Sequence, residues 1–515
     1  MTPRSAILGF IAVLFATAAS AATYTVRPDG GGDFAKIQDA IDAAVSGDVI
    51  VLGDGVFTGS RNRDLRFLGK NLTLRSQSGN PALCAIDCQG QSRGININQG
   101  ETSVLVQGIT IRNGFAPRTP TIPSSPGWGG GLNLSGVTAT FRFCVIASST
   151  ADDGPGGALG AGAYASSSNV TFEVCSFTDN YFALRGTGAG LFAWQNSNVT
   201  ATQCSFDGNR AAGITSGGTG GGVQVQDSRL TMLDCEVRGN MAHIGAGIST
   251  GQLCIVDIRD CLIAGNSNNT TEGTRMGAGI HLGYDTDGVI SGCTITGNRA
   301  YERGAGVAVA NDGNVTIENT VIWGNCIGAG VGESVSIATD GFVDFACCDV
   351  DPAKVIGGTA TYTSSFAADP VFCNAKPCAG APTLEGNYSL QGTSPLIEGS
   401  GCGLIGSENA ICDVLGIGSG PIASLGLELR AGPNPFRDAT SIRYSIAVSG
   451  PVAVDVFDAA GRLVRRFDEG VRRSGSYTIP WNGRSAEGSS VPPGVYFARI
   501  SSRGQVATGW IVRVK

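Results

Sequence analysis

Histidine is almost missing from this chain of 515 residues, with only His243 and His281 present. Two scattered imidazoles serve neither a histidine-rich metal centre nor an imidazole relay. Charge is scarce as well: Asp, Glu, Lys and Arg make up 15% of the residues, and the formal net charge is −7. Phosphate recognition needs clustered Lys and Arg, so nucleic acid is not expected as a partner. Beyond the first 21 residues no apolar run approaches the roughly 20 that cross a bilayer. No transmembrane segment is therefore expected once the leader is removed. Helical periodicity is absent over most of the chain, which excludes the helical repeat arrays.

What is abundant is glycine, at 78 residues, and cysteine, at 16. High glycine with low charge suits a strand- and turn-rich protein. The N-terminus reads as an export leader over residues 1–21: Arg4 supplies the positive start, Ala6 to Ala18 the apolar run, and Ala19-Ser20-Ala21 the small-residue cleavage site. The expected location is secreted, extracellular or on the outer cell surface, where cysteines oxidise. Charge is unevenly spread. From Leu425 onward there are 13 Lys and Arg against 7 Asp and Glu, a balance of +6, which leaves −13 for the rest.

A phrase recurs: "CSFTDN" at 175, "CSFDGN" at 204, "CEVRGN" at 235, "CLIAGN" at 261, "CTITGN" at 293 and "TVIWGN" at 320. Two residues past the cysteine lie Phe177, Phe206, Val237, Ile263, Ile295 and Ile322. Three before it lie Phe172, Ala201, Met232, Ile258, Ile290 and Ile317, and five before it lie Val170, Val199, Leu230, Val256, Gly288 and Val315. Spacings of two are strand alternation. The intervening step of three requires a bend that keeps both short strands apolar on one side. Upstream, each unit carries Gly-x-Gly and an apolar residue, as at Gly188-Ala189-Gly190 and Gly304-Ala305-Gly306.

Units of 26 to 32 residues in short strands cannot bury their own apolar faces and must stack. Coils about 4.8 Å apart, each strand pairing with its copy, make a parallel β-helix. The fold class is then all-β, with Cys144, Cys175, Cys204, Cys235, Cys261 and Cys293 stacked inside as small apolar residues. Asn180, Asn209, Asn240, Asn266, Asn298 and Asn325 would form a ladder at a turn, bonding backbone groups and one another. Metal binding is poorly served, because these cysteines have no C-x-x-C spacing. Cys84/Cys88, Cys373/Cys378 and Cys402/Cys412 are the expected local disulfides.

The pairing of Gly-Ala-Gly-apolar with F/I-x-x-N resembles the repeats of chlamydial polymorphic outer-membrane proteins. More broadly, residues 22–412 resemble the right-handed parallel β-helix (pectin-lyase-like) superfamily, with three strands per coil. The opening "YTVRPDGGGDFAKIQDAIDAAVSGDVIVLGDGVF" and the closing "NYSLQGTSPLIEGSG" carry the likeness. It implies an N-terminal helix capping the coil, with Asp33 as N-cap and Phe34, Ile37, Ile41 and Ala44 on one face. The superfamily's activities do not follow from the fold. The G-x-x-D-F-I-F-G stretch of pectin methylesterases, the W-I-D-H of pectate lyases and the G-H-G and R-I-K of polygalacturonases are all absent.

The remaining candidates lie on loops between each ladder asparagine and the next Gly-x-Gly: Asp152, Asp153, Arg185, Arg210, His243, Glu272, Arg275, Arg299, Tyr301, Glu302 and Arg303. Arginines, carboxylates and an aromatic along one edge suit a neutral or acidic polysaccharide. No cofactor is required. A lyase would need an Arg base and Ca²⁺ on Glu272 and Glu302, and ordinary solvated turns account for the same residues.

Residues 413–424 form a Gly/Ser linker, and 425–515 carry alternating strands separated by turns, as in a β-sandwich. Pro433-Asn434-Pro435-Phe436, the hairpin at 457–462, Trp481-Asn482-Gly483 and Gly494-Val495-Tyr496-Phe497 resemble the FlgD-like immunoglobulin-like domain and the type A sorting domain of type IX secretion. The resemblance implies the secretion machinery as a partner. The expectation is a secreted or cell-surface β-helix acting as a stalk or glycan-binding module. The alternative is a polysaccharide lyase or glycoside hydrolase with an unrecognised site.

Overall fold

A computed structural model describes residues 21–117, 127–152, 157–183, 186–211, 217–268, 276–328, 330–331, 334–397, 401–407, 428–432, 436–437, 440–446, 450–458, 461–472, 475–486, 488–502 and 505–513. The expected leader apart from Ala21, all of the expected linker at 413–424, and Pro433, Asn434 and Pro435 lie outside the described residues. The chain forms two compact units, Met1–Thr231 and Met232–Lys515.

In the first unit, strand Thr23–Val26 pairs parallel with Val49–Leu52, which pairs with Thr73–Ser76. The helix Ile37–Ala43 buries Ile37, Ala40 and Ile41 against this first coil. Asp33 does not cap it. Its carboxylate is engaged by the Thr25 backbone N–H at 2.8 Å and the Thr25 hydroxyl at 2.9 Å, which fixes the preceding turn. Lys36 stands at the N-cap, and the Ile37 N–H instead donates to Asn62 Oδ1 at 2.9 Å. Phe34 lies before the helix, edge-on to Tyr24.

Later coils each contain three strands. Ala163–Ser166, Asn169–Glu173 and Ser176–Thr178 pair parallel with Leu191–Trp194, Asn198–Thr202 and Ser205–Asp207. In register, Val170 lies on Val199, Phe172 on Ala201 and Phe177 on Phe206, and all six are buried. This is the stacking that alternation demanded. The step of three has a specific cause: Phe143, Val174 and Gln203, each just before a ladder cysteine, adopt φ of 53°. One left-handed residue turns the chain while returning the cysteine side chain to the interior.

The second unit begins with the same coil. Glu236–Arg238, Leu262–Ala264, Thr294–Thr296 and Val321–Trp323 stack parallel, as do Ile255–Arg259, Asp287–Ser291, Asn314–Glu318 and Val335–Ala346. The protein is thus all-β, with right-handed parallel solenoid coils. After Val355–Thr363 the chain turns back along its own flank as a strap. Thr383 N donates to Gly265 O, Gly406 N to Asn319 O and Ser407 N to Thr294 Oγ1. Leu390, Leu396 and Ile405 pack on Val321.

Two disulfides staple this strap, Cys326–Cys378 and Cys347–Cys402. They correct the expected pairs: Cys378 is not joined to Cys373, nor Cys402 to Cys412. Cys373 is itself disulfide-bonded, while Cys84 and Cys88 are free and buried. Back-folding brings together cysteines 52 and 55 residues apart, so near neighbours in sequence were the wrong guide.

The C-terminal residues form antiparallel sheets. Glu428–Gly432, Thr440–Ile446 and Gly475–Trp481 make one, and Leu463–Arg472, Gly450–Asp458, Gly494–Ser502 and Gln505–Arg513 the other. Their shared core holds Phe436, Trp481, Tyr496, Ile500 and Ile511. Trp481 lies 5.5 Å from the Phe436 ring and 5.4 Å from that of Tyr496, and its indole N–H donates to Arg484 O. Gly494 opens the strand that carries Tyr496, whose hydroxyl donates to Pro492 O.

Candidate functional site

The ladders define what is unavailable for chemistry. Asn180 Nδ2 donates to Asn209 Oδ1 at 3.0 Å and to Ile146 O, while its backbone N–H reaches the same Asn209 oxygen. In the second unit Asn240, Asn266, Asn298 and Asn325 repeat the pattern at 2.9–3.0 Å, all buried. A residue in the left-handed region precedes each asparagine, as at Asp179 and Gly208. The second glycine of Gly-x-Gly explains its pairing with this ladder. A Cβ on Gly162 would stand 2.9 Å from Asn180 Cγ, and one on Gly190 3.2 Å from Asn209 Cγ.

The cysteines do more than fill space. Cys175 Sγ donates to Phe141 O, Cys175 N donates to Cys204 Sγ, and Cys235 N donates to Cys261 Sγ. Thr320 takes the same place with its hydroxyl, accepting from Cys293 N and donating to Glu318 O. Cys348 extends the series in the second unit, and in the first unit Ser168, Ser197 and Ser228 form another series, which the sequence reading missed. Burial pushes the Cys348 and Cys84 thiols up to about 12, which opposes the thiolate form a metal needs. Among the described residues no three His, Cys, Asp or Glu side chains converge as metal ligands.

The loop edge is divided. In the first unit Arg210 is exposed and pairs across the coils with Tyr181, itself 44% exposed. The two follow Asn209 and Asn180 directly. Arg210 N donates to Asn180 O, and Phe182 N to Arg210 O. Asp152 is half-buried. In the second unit Tyr301, Glu302 and Arg303 occupy one exposed turn. Arg299 is committed to structure: its Nε donates to Gly328 O at 2.7 Å and its Nη1 to Ala379 O of the strap. His243 is buried, not displayed, because the five-residue link from Asn240 to Gly245 is too short to carry it outward. Asp153, Arg185, Glu272 and Arg275 lie outside the described residues.

A second row went unread in the sequence. Tyr164 stacks on Trp128 at 5.4 Å and on Phe192 at 5.9 Å. Asn133 Nδ2 donates to Asn96 Oδ1. Asn96, Asn133, Tyr164 and Phe192 share one register column of paired strands, and Tyr164 and Phe192 are only 2–3% exposed. In the second unit His281 is held neutral, burial pulling it down to about 4. Asp349 is the reverse case: burial pushes it up to about 7, with Oδ1 accepting from Ala368 N. Neither sits at the loop edge.

Residues 93–271 match the family model of the right-handed beta helix region, and 438–505 match the FlgD Ig-like domain. No curated protein matches the sequence. Among solved structures, part of the chain is similar to part of PorZ, a surface component of the type-IX secretion system of Porphyromonas gingivalis. That match has 21% identity and a TM-score of 0.14, over 17% of this chain and 11% of that one. FlgD of P. aeruginosa gives 29% identity and a TM-score of 0.13, over 14% and 60%. A mannuronic acid specific family 6 polysaccharide lyase from human gut microbiota is similar at 13% identity and a TM-score of 0.28, over 67% and 87%. The chain thus spans about a tenth of PorZ. Among the described residues no helix is long and apolar enough to cross a membrane.

Proposed function

We propose that this is an exported surface protein whose β-helix is a rigid, glycan-binding module and whose Ig-like domain is its address or attachment. The leader-like start supports export. The β-helix interior is consumed by hydrogen-bonded ladders, which makes a stiff support rather than a reaction centre. The observation that carries glycan binding is the Tyr181–Arg210 pair, where an exposed ring and a guanidinium stand on adjacent coils. Such pairs serve sugars through stacking on the ring and hydrogen bonding from the fork of donors.

The test is binding of the full mature chain to a glycan panel, with product analysis for turnover. Tyr181→Ala and Arg210→Ala should each weaken the best ligand about tenfold, equivalent to about 1.4 kcal/mol. Unchanged affinity in both variants refutes the edge as the binding site. Turnover would replace the module reading with the lyase or hydrolase alternative. Truncation after residue 424 should change where the protein goes while leaving the β-helix melting transition in place; unaltered localisation in fractionated cells would remove the address role.

A further inference from the structure

The Ig-like domain has an outward sheet face that its core does not use. Register across the four strands places Leu463, Phe457, Phe497 and Trp510 in one row. Leu463 is 54% exposed, Phe497 40% and Trp510 61%. The next row holds Arg466, Asp455, Arg499 and Thr508. Between the rows lies a shallow depression of about 360 Å³, largely open to solvent and lined by Phe457, Asp458, Gly461, Phe497, Arg499 and Thr508.

The charges are layered. Asp455 is buried, with Arg499 at 3.3 Å and Arg466 at 3.6 Å from its two oxygens. Asp458 is likewise covered by Arg462 at 2.8 Å. In both cases the carboxylate lies beneath and the guanidinium faces solvent. Arg499 is additionally positioned over the Phe457 ring at 4.9 Å. The arginines are thus anchored by their carboxylates while their side chains stay 48–81% exposed, so each five-donor guanidinium remains within reach of solvent. Asp468, exposed on the third row, bounds the cationic strip on its far side. Every cation from Leu425 onward except Lys515 is an arginine, the side chain whose planar fork matches carboxylates bidentately.

We infer that this face is a second binding site, specific for carboxylate-bearing sugars of an acidic polysaccharide. A uronate ring lies against Phe497 and Trp510, and its carboxylate takes the free donors of Arg499. Exposed rings beside a preorganised guanidinium are complementary to one apolar sugar face and one anionic substituent. The site is separate from the Tyr181–Arg210 edge and does not depend on it.

The test is binding of the full mature chain to polygalacturonate and alginate oligosaccharides, with neutral dextran as control and vesicles containing anionic lipid as the competing surface. Arg499→Gln and Phe497→Ala should each lower uronate affinity at least tenfold. Trp510→Ala, at the most exposed position and clear of the core, should lower it about threefold to tenfold without shifting the thermal transition. Uronate binding should also weaken as salt rises. Equal affinity in wild type and all three variants overturns the inference, as does equal binding to dextran or binding to anionic vesicles alone. If Tyr181→Ala and Arg210→Ala abolish uronate binding while these three do not, this site is refuted and the edge remains.

Discussion

Replacing Asn266 by Ala should be among the most damaging single changes in the coil. Its Nδ2 donates to Asn298 Oδ1 and to Val237 O, each at 2.9 Å. Its Oδ1 accepts from the Asn240 backbone N–H and from Asn240 Nδ2, also at 2.9 Å. A buried hydrogen bond contributes about 1 kcal/mol net, and a donor or acceptor left without a partner costs roughly 1–3 kcal/mol. Four bonds lost at a site inaccessible to solvent give a loss of about 3–5 kcal/mol. Asn266→Asp provides the internal control. It keeps the acceptor for the Asn240 N–H but cannot donate while ionised, and a buried carboxylate is costly. Its folded state should therefore retain a proton, so this variant should gain stability as pH falls. Urea unfolding gives the total cost, and hydrogen exchange at the Asn240 amide gives the local one. That amide should lose protection in Asn266→Ala and keep it in Asn266→Asp. A cost below about 1 kcal/mol, or unchanged exchange in the Ala variant, would refute the ladder as a coupled network.

Cys204 and Cys235 should resist alkylation until the protein unfolds, and Cys204→Ala should cost roughly 1–2 kcal/mol as a small cavity, with Cys204→Asp costing more; rapid labelling of native protein would defeat the inward register. Asp349 predicts a pH effect. Because burial raises its folded-state value to about 7, the folded form holds the proton more tightly than the unfolded one. Its contribution is therefore full at low pH and is lost as pH rises through about 7. Asp349→Asn should be increasingly the more stable protein between pH 4 and 8 in urea titrations, and a constant difference would show that the carboxyl ionises as readily folded as unfolded.

The coil was legible because its apolar positions obey a period that only strands satisfy, and because Val170, Val199 and their copies recur at a fixed offset from a cysteine. Contacts set by return of the chain were not. Nothing local to Cys378 indicates Cys326, since their meeting depends on where the strap lies. Asp33 has the right residue type for a cap, but Thr25 competes for its carboxylate across a strand pairing. At the edge, residue types were readable while display was not: Arg299 bonds the next coil, His243 turns inward, and Tyr181 was passed over. A signal for Tyr181 did exist. The position following each ladder asparagine forms its own column, as the Met241–Ser267–Arg299 bridges show, and aligning that column places Tyr181 beside Arg210.

The contact between the second glycine and the ladder asparagine divides each coil into two lengths that behave differently. From that glycine to the asparagine the chain always spends 18 or 19 residues, as from Gly162 to Asn180 and from Gly306 to Asn325. From the asparagine to the next Gly-x-Gly it spends anywhere from 5 residues, at Asn240 to Gly245, to 11, at Asn266 to Gly277. All but one residue of the irregularity in repeat length is therefore confined to one side of a steric latch. Beyond the latch only the first residues of the connection join the packing, as Phe182, Ala211 and Ala242 do, and lengthening the rest costs little because closure entropy grows only slowly with loop length. Each coil is in effect a socket that accepts inserts of differing size at one place, while the register of the strands on either side stays fixed.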